Sequence, residues 1–413
     1  MVLRFPLGLG LLLLALASTT AHAADGTSPL QIVVSKDKQS LVVYDGASVV
    51  ATSKVSSGKR GHDTPTGIFS ILEKSRYHES NIYSNAPMPF MQRLTWSGIA
   101  LHASNSVPSY PASHGCVRLP NGFAKTLLKM TERGWHVVIS DRPIAPQPVS
   151  HGFLFQPSAP EQQLLSDVSL RPAMSQITSG TVEVAMSEPA PSPPAAPAAR
   201  AEDTREPIRI LITRRGTREL TLDVQAALNG LGYDAGVPDG ALGSQSIAAI
   251  RAFELAEGRE PKGRVTPELV DALFRKANLP PPANGQLLVR RAFTPLFEAP
   301  VTIAAPEIAL GAHFYQFQDI DAATGKGSWF SLSLDNVIPK GMKSRLGITT
   351  DDDAYAYNAA TRVLDRIQMT DDLREKVEDL LAPGSSLTVS DMGLGPETGR
   401  GTDFVTITHR AKG

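Results

Sequence analysis

The sequence predicts a multidomain chain: a β-rich domain carrying one helix, then a small three-helix domain, then an α+β C-terminal region. Three observations predict it. The 413 residues exceed one ordinary domain of roughly 150. The hydrophobic period is short and strand-like from residue 30 to 142, turns helical between 221 and 277, and is mixed from 286 to 413. The 32 prolines are clustered, and a Pro/Ala stretch from Glu188 to Arg200 reads as an extended tether within residues 144–206.

Each element follows in order. Arg4, an apolar run over Leu7–Ala17 and Ala21-His22-Ala23 form an export signal, residues 1–23, with cleavage expected after Ala23. The run is short for a bilayer span of roughly 20 residues, so no stable membrane span is expected after cleavage. Strands are predicted at 31–34 and 40–44, with Asp45-Gly46 as a hairpin turn before 48–50. Thr64-Pro65-Thr66-Gly67 is a second turn before a strand at 68–72, and further strands end at Leu101-His102 and cover Trp135–Ser140. Residues 121–133 read as the one helix of this domain. In the three-helix domain, 216–279, one face is Leu222, Val224, Leu228 and Leu231, a second Ile247, Ile250, Phe253 and Leu255, and a third Leu269, Leu273 and Phe274. Ser244 and Thr266 are candidate N-caps, the latter followed by Pro267 at the first helical position. In the C-terminal region a single long helix is predicted at about 354–381.

Forty basic against forty-one acidic side chains leave a formal charge of -1, which gives no field for nucleic acid or anionic lipid. One cysteine excludes an internal disulfide framework. In an oxidising compartment that lone thiol needs a reason.

The reason lies in Leu101-His102-Ala103 followed by Ser113-His114-Gly115-Cys116-Val117-Arg118-Leu119-Pro120. A thiol attacks a carbonyl as thiolate, so a base or cation beside Cys116 is expected to hold it ionised near neutrality. His114 is two residues away, and His102 ends a strand whose following loop, with Pro108 and Pro111, can return to it. Gly115 allows a substrate close to the backbone, whose N–H groups can stabilise an oxyanion.

The spaced set of residues 102–118 resembles the signature of the YkuD-type L,D-transpeptidases, with arginine at 118; Thr64-Pro65-Thr66-Gly67 is also similar to that family. The resemblance covers about residues 30–142 and implies a mixed sheet or β-sandwich. It implies Cys116 as nucleophile, His102 as its base, the Ala103 carbonyl orienting the imidazole, and backbone N–H groups of Gly115 and Cys116 as the oxyanion hole. Ser113 and His114 would shape the site, and Arg118 would support the loop or meet a substrate carboxylate. The implied reaction needs no cofactor and no metal. A thioester forms on Cys116 from a tetrapeptide stem with loss of D-alanine, and an amine of another stem resolves it as a 3→3 cross-link. Water as acceptor would make an L,D-carboxypeptidase, a lipoprotein or wall-protein lysine an anchoring enzyme, and a silent thiol a non-catalytic wall-binding protein.

The helical domain resembles the peptidoglycan-binding type 1 module through Val224-Gln225, Leu228, Leu231-Gly232-Tyr233, Asp239-Gly240, Gly243, Ile250 and Phe253. Leu242, Ser246 and Glu254 depart from the usual residues there. The resemblance implies peptidoglycan glycan and stem peptides as partners; the export signal implies a periplasmic or envelope location, and the flexible tether is expected to let the module raise the local concentration of wall substrate. The C-terminal region is similar to the tail of some long family members and carries no readable chemistry. Asp351-Asp352-Asp353 lacks ligand-spaced Glu or His partners and reads as a solvated helix start.

Overall fold

In the computed structural model, which describes residues 29–80, 85–157, 206–321 and 324–409, most strands fall into three sheets. The export signal and the Pro/Ala stretch lie outside those residues. The first region contains β1 (Gln31–Ser35), β2 (Ser40–Asp45), β3 (Ser48–Lys54), β4 (Thr66–Ser70), β5 (Glu73–Ser75), β6 (Met91–Arg93), β7 (Ala100–Ala103), β8 (Val117–Leu119), helix α1 (Asn121–Met130) and β9 (His136–Ser140). Then come β10 (Gln147–Val149), β11 (Ile208–Arg214) and the helices α2 (Thr217–Gly230), α3 (Ser244–Ala256) and α4 (Pro267–Lys276). The remainder is β12 (Gly285–Arg291), β13 (Thr294–Ile303), β14 (Ala312–Ile320), β15 (Gly327–Leu334), α5 (Lys340–Leu346), α6 (Ala359–Leu364), β16 (Ile367–Gln368), α7 (Asp371–Glu378), β17 (Ser386–Ser390) and β18 (Thr406–His409).

The six-stranded sheet has the order β18-β4-β9-β1-β2-β3, the eight-stranded sheet β10-β15-β14-β17-β11-β12-β13-β16, and the small sheet β5-β6-β7-β8. Successive side chains of a strand point to opposite faces, so each sheet can feed two cores. Ile32, Val34, Phe69, Val137 and Ile139 pack with Leu101, Ala103, Val117 and Leu119 of the small sheet and with Ala124 and Leu127 of α1. Their neighbours Val33, Ile68 and Val138 point the other way, onto Ala312, Phe314, Leu332 and Leu334 of the eight-stranded sheet. The far face of that sheet is closed by Val363 and Leu364 of α6, Leu373 and Val377 of α7, and Phe153–Phe155.

The six-stranded sheet is therefore an inner layer. That explains why every residue of β1, β4 and β9 is buried, where a strand with one wet face would alternate. Arg209, Asp403 and Ser70 pair in the second interface. Arg209 Nε donates to Asp403 Oδ2 at 3.0 Å, Arg209 Nη2 to Gly134 O at 2.8 Å, and Ser70 Oγ to Asp403 Oδ2 at 3.2 Å. Burial and the Arg209 charge push His136 well below its ordinary pKa, and its Nε2 shares a hydrogen bond with Ser386 Oγ at 3.2 Å.

Several expectations change. The stretch read as linker from 144 onward contributes β10, paired with β15, and buries Phe153, Leu154 and Phe155 before residue 158. Ile208–Arg214, between the tether and the helices, is a fully buried strand between β12 and β17. The helical module is thus inserted between the paired strands β11 and β12, and does not swing on the tether. The long helix at 354–381 is broken into α6 and α7, because Ile303 and Thr302 at the edge of β13 recruit Ile367 and Gln368, and Thr370 Oγ1 caps α7 by accepting from Leu373 N at 3.3 Å. Ser244 is the first helical residue rather than the cap, which is Gly243; Thr266 does cap α4, accepting from Leu269 N at 3.2 Å. Of the three helical faces, Leu255 is 62% exposed, while Val224, Leu228, Ile250, Phe253, Leu269, Leu273 and Phe274 form one core. Among the described residues no helix is long and apolar enough to cross a membrane.

Candidate active site

The small sheet positions the chemistry. β7 pairs in parallel with β8, placing His102 opposite Arg118 and Leu101 opposite Val117. Leu101, Ala103, Val117 and Leu119 point into the core, so the alternate positions Ala100, His102, Cys116 and Arg118 face a cavity of about 430 Å³. β6 pairs antiparallel with β7, with Arg93 opposite Ala100, and brings Met91 and Arg93 to the same face. Ser113, His114 and Ala103 also line it.

The loop bearing Cys116 is held from below. Thr64 Oγ1 donates to Gly115 O at 2.7 Å and accepts from Gly58 N at 2.8 Å, which explains why a turn fifty residues upstream matters to the thiol. Gly115 has φ +110°, and a Cβ there would lie 3.0 Å from Ile99 Cδ1, so a side chain is disfavoured twice over. Ser113 Oγ donates to Cys116 O and accepts from Gly115 N at 3.2 Å. The Gly115 N–H is thus already engaged, and serving an oxyanion requires that Ser113 release it.

Ala103 O lies 2.8 Å from His102 Nδ1. A carbonyl only accepts, so Nδ1 carries the proton and Nε2 presents its lone pair. Burial lowers the His102 pKa, opposed by that hydrogen bond and reinforced by Arg118, so the ring is a neutral base. Cys116 is half-buried. Burial pushes its pKa up, against the pull of the Ala100 N–H and of Arg93 and Arg118, and its S–H donates to Gly98 O at 3.3 Å. Both shifts run towards the neutral forms, thiol and imidazole, on the one cavity face.

His114 is exposed, and its ring meets His62 edge-on at 4.7 Å; desolvation first, then Lys59, His62 and Arg118, lower its pKa. The Arg118 guanidinium has no carboxylate partner among the described residues. Arg93, Gly98 and Ala100 are residues that sequence reasoning missed. Arg93 was findable in principle, two positions after Met91 on a short strand, but nothing in the sequence says which strand lies beside β7. The Asp351–Asp353 run is spent on structure: Asp351 pairs with Lys343, Asp352 with His313 and Arg362, and Asp353 accepts from Tyr355 N.

Comparison with known proteins agrees with this geometry. Residues 29–139 match the family model of the L,D-transpeptidase catalytic domain. The β-rich domain is of the YkuD type. Residues 217–273 match the model of a putative peptidoglycan binding domain, so the YkuD-type domain shares its chain with a wall-binding type of module. Among solved structures, an L,D-transpeptidase from Mycobacterium smegmatis is 22% identical, over 27% of this chain and 59% of that one, with a TM-score of 0.26. One from Xylanimonas cellulosilytica is 28% identical over 28% and 62%, with a TM-score of 0.25, and one from Stackebrandtia nassauensis 25% identical over 31% and 63%, with a TM-score of 0.26. The chain thus spans 59–63% of those chains. No curated protein matches. The YkuD match ends at residue 139, yet β18, from residues 406–409, pairs with β4 and forms one edge of the same sheet.

Proposed function

We propose that the chain is an exported cysteine acyltransferase acting on peptidoglycan stem peptides, an L,D-transpeptidase of the cell envelope. The observation that carries this reading is the placement of Cys116 and His102 on one face of one cavity, with the imidazole tautomer set by Ala103 O.

The roles follow from the geometry. As Cys116 Sγ approaches the carbonyl carbon of the third stem residue, it gives up its hydrogen bond to Gly98 O and passes its proton to His102 Nε2. The developing sulfur charge is stabilised by the Ala100 N–H and the two guanidiniums. The S–C bond forms, and the carbonyl oxygen becomes an oxyanion facing N–H groups of the Gly115-Cys116 turn. Collapse breaks the C–N bond to the terminal D-alanine, whose amine takes the proton from His102, leaving a thioester. An amine of a second stem then attacks the thioester, with His102 taking its proton and returning it to sulfur, and a 3→3 peptide bond results. Because the bond made replaces the bond broken, no nucleotide is needed.

The test is intact mass spectrometry of the full chain incubated with a disaccharide tetrapeptide, with and without excess second stem. An adduct on Cys116 that resolves to a 3→3 dimer supports the reading. Resolution to free tripeptide moves the assignment to an L,D-carboxypeptidase. Absence of any adduct from a reactive thiol refutes stem acylation.

A further inference from the structure

The cavity wall is one-sided in charge. Its described lining includes Arg93, Arg118, His78, His102 and His114, and no aspartate or glutamate. Arg118 is not committed to an ion pair among the described residues, and Arg93 is committed only in part. Arg93 donates through Nε to Glu73 Oε2 at 2.8 Å, and its Nη2 lies 3.3 Å from His78 Nε2, while Nη1 has no partner among the described residues. The Arg93 guanidinium is also held 5.5 Å from the Trp96 ring, so it is pre-ordered rather than free to swing.

Strand register places them on opposite sides of β7, the strand that carries His102, with Cys116 just before β8 and two residues from Arg118. Arg93 lies on β6 opposite Ala100, and Arg118 on β8 opposite His102, with β7 between. Adjacent strands are about 4.8 Å apart and the two positions are offset by two residues along β7, so the arginine Cα atoms lie roughly 12 Å apart, the length of three to four extended peptide residues. Both guanidiniums are near enough to act on the Cys116 thiol.

We propose that this cavity selects acyl donors with a free carboxylate on each side of the scissile bond, one read by Arg93 and the other by Arg118, and rejects stems in which those carboxylates are amidated. This rests on the transpeptidase reading and deepens it. One carboxylate is that of the departing terminal residue; the other stays on the donor side and is retained in the thioester. A planar guanidinium binds a carboxylate through paired N–H bonds, and a carboxamide offers it one oxygen and a repelling NH2 group.

The experiment compares the rate of Cys116 acylation, as kcat/KM, for four stems: both carboxylates free, the terminal one amidated, the donor-side one amidated, and both amidated. The full chain is used, with Arg93→Gln and Arg118→Gln beside it, and iodoacetamide alkylation monitors the thiol itself. Each amidation is expected to slow the wild type about tenfold, a step typical of one charge-assisted contact. Each variant should lose the discrimination at one position only, a change that a uniform fall in thiol reactivity, read from its alkylation rate, would not produce. If the wild type acylates all four stems equally, the selectivity is refuted and the transpeptidase reading stands. If no stem acylates a thiol that iodoacetamide modifies, the transpeptidase reading itself fails. The wild-type comparison needs no variant, so misfolding of Arg93→Gln leaves the test intact.

Discussion

Replacing Gly67 by alanine should detach the last strand of the chain from the YkuD-type domain. Gly67 has φ +154°, and a Cβ built on it would lie 2.1 Å from Thr406 O and 3.0 Å from Ile407 Cα. Both are backbone atoms, so no rotamer relieves the contact, and β18 must retreat by about 1 Å or more to restore van der Waals distance. That retreat breaks the Thr406↔Ile68, Ile407↔Gly67 and His409↔Thr66 register. It also loosens Phe404 and Val405, which are 6% and 2% exposed. Burial of two such side chains contributes about 3–6 kcal/mol when complete. Losing about half of it, with about 1 kcal/mol for alanine at positive φ, gives about 3–4 kcal/mol. For a unit of this size that corresponds to a fall in thermal midpoint of roughly 10 °C. Urea unfolding followed by tryptophan fluorescence would measure it, with limited proteolysis reporting release of residues after 391. Gly122→Ala, where nothing lies within 4 Å of the added carbon, is the control and should be neutral or slightly stabilising. A Gly67→Ala chain within about 1 kcal/mol of wild type, with a protease-resistant tail, would falsify the close-approach argument.

Three further outcomes are expected. Because burial raises the Cys116 thiol and depresses the His102 imidazole, iodoacetamide alkylation should climb only above pH 9.0, whereas stem acylation, which needs neutral His102, should hold at neutrality and fall only on acidification below pH 6.5. A thiolate absorbance already present at neutral pH would contradict the neutral-pair description. Thr64→Val removes one donor and one acceptor from a buried site, leaving Gly115 O and Gly58 N unmatched, and should cost about 2–3 kcal/mol with a larger proportional loss of acylation; unchanged acylation would show that the Thr64 clamp does not position Cys116. Gln225→Ala should free the Asp239-Gly240 loop, since Gln225 accepts from both of those N–H groups and donates to Asp239 Oδ1, Ala241 O and Ser246 Oγ. Hydrogen exchange at Asp239 and Gly240 should rise by at least tenfold, and protection equal to wild type would refute the loop's dependence on that side chain.

The thiol segment was legible because its chemistry is local: the spacing of His102, Ser113, His114, Gly115 and Cys116 is readable without knowing which strands pair. The helical module was legible through its period, and the pattern residues Gln225, Asp239, Gly240 and Ser246 turn out to be one hydrogen-bonded unit. What stayed hidden depends on long-range partners. Ile208–Arg214 is too short for its period to distinguish a strand from tether, and only β12 and β17, more than seventy residues away, make it one. The unbroken apolar runs Ile32-Val33-Val34 and Val137-Val138-Ile139 did carry a sign of burial on both faces. Their second cover comes from Ala312, Phe314, Leu332 and Leu334, which no local pattern connects to them. The burial that raises the Cys116 thiol was hidden for the same reason: its neighbours in sequence favour ionisation, while the burial that opposes it comes from the fold.

The insertion of the helices between β11 and β12 has an engineering and evolutionary meaning. Arg214 and Gly285 are register partners, so the module leaves and re-enters the body about one strand spacing apart, roughly 5 Å. Its own core, around Leu228, Ile250, Phe253 and Leu273, lies on α2, α3 and α4. Such a cassette can be cut out and the gap closed with a two-residue turn, leaving β11 and β12 as an ordinary hairpin. It can equally be exchanged for another small domain whose ends lie close together. An ancestral gene could therefore have acquired or traded this module at that seam without disturbing the sheet that supports the thiol.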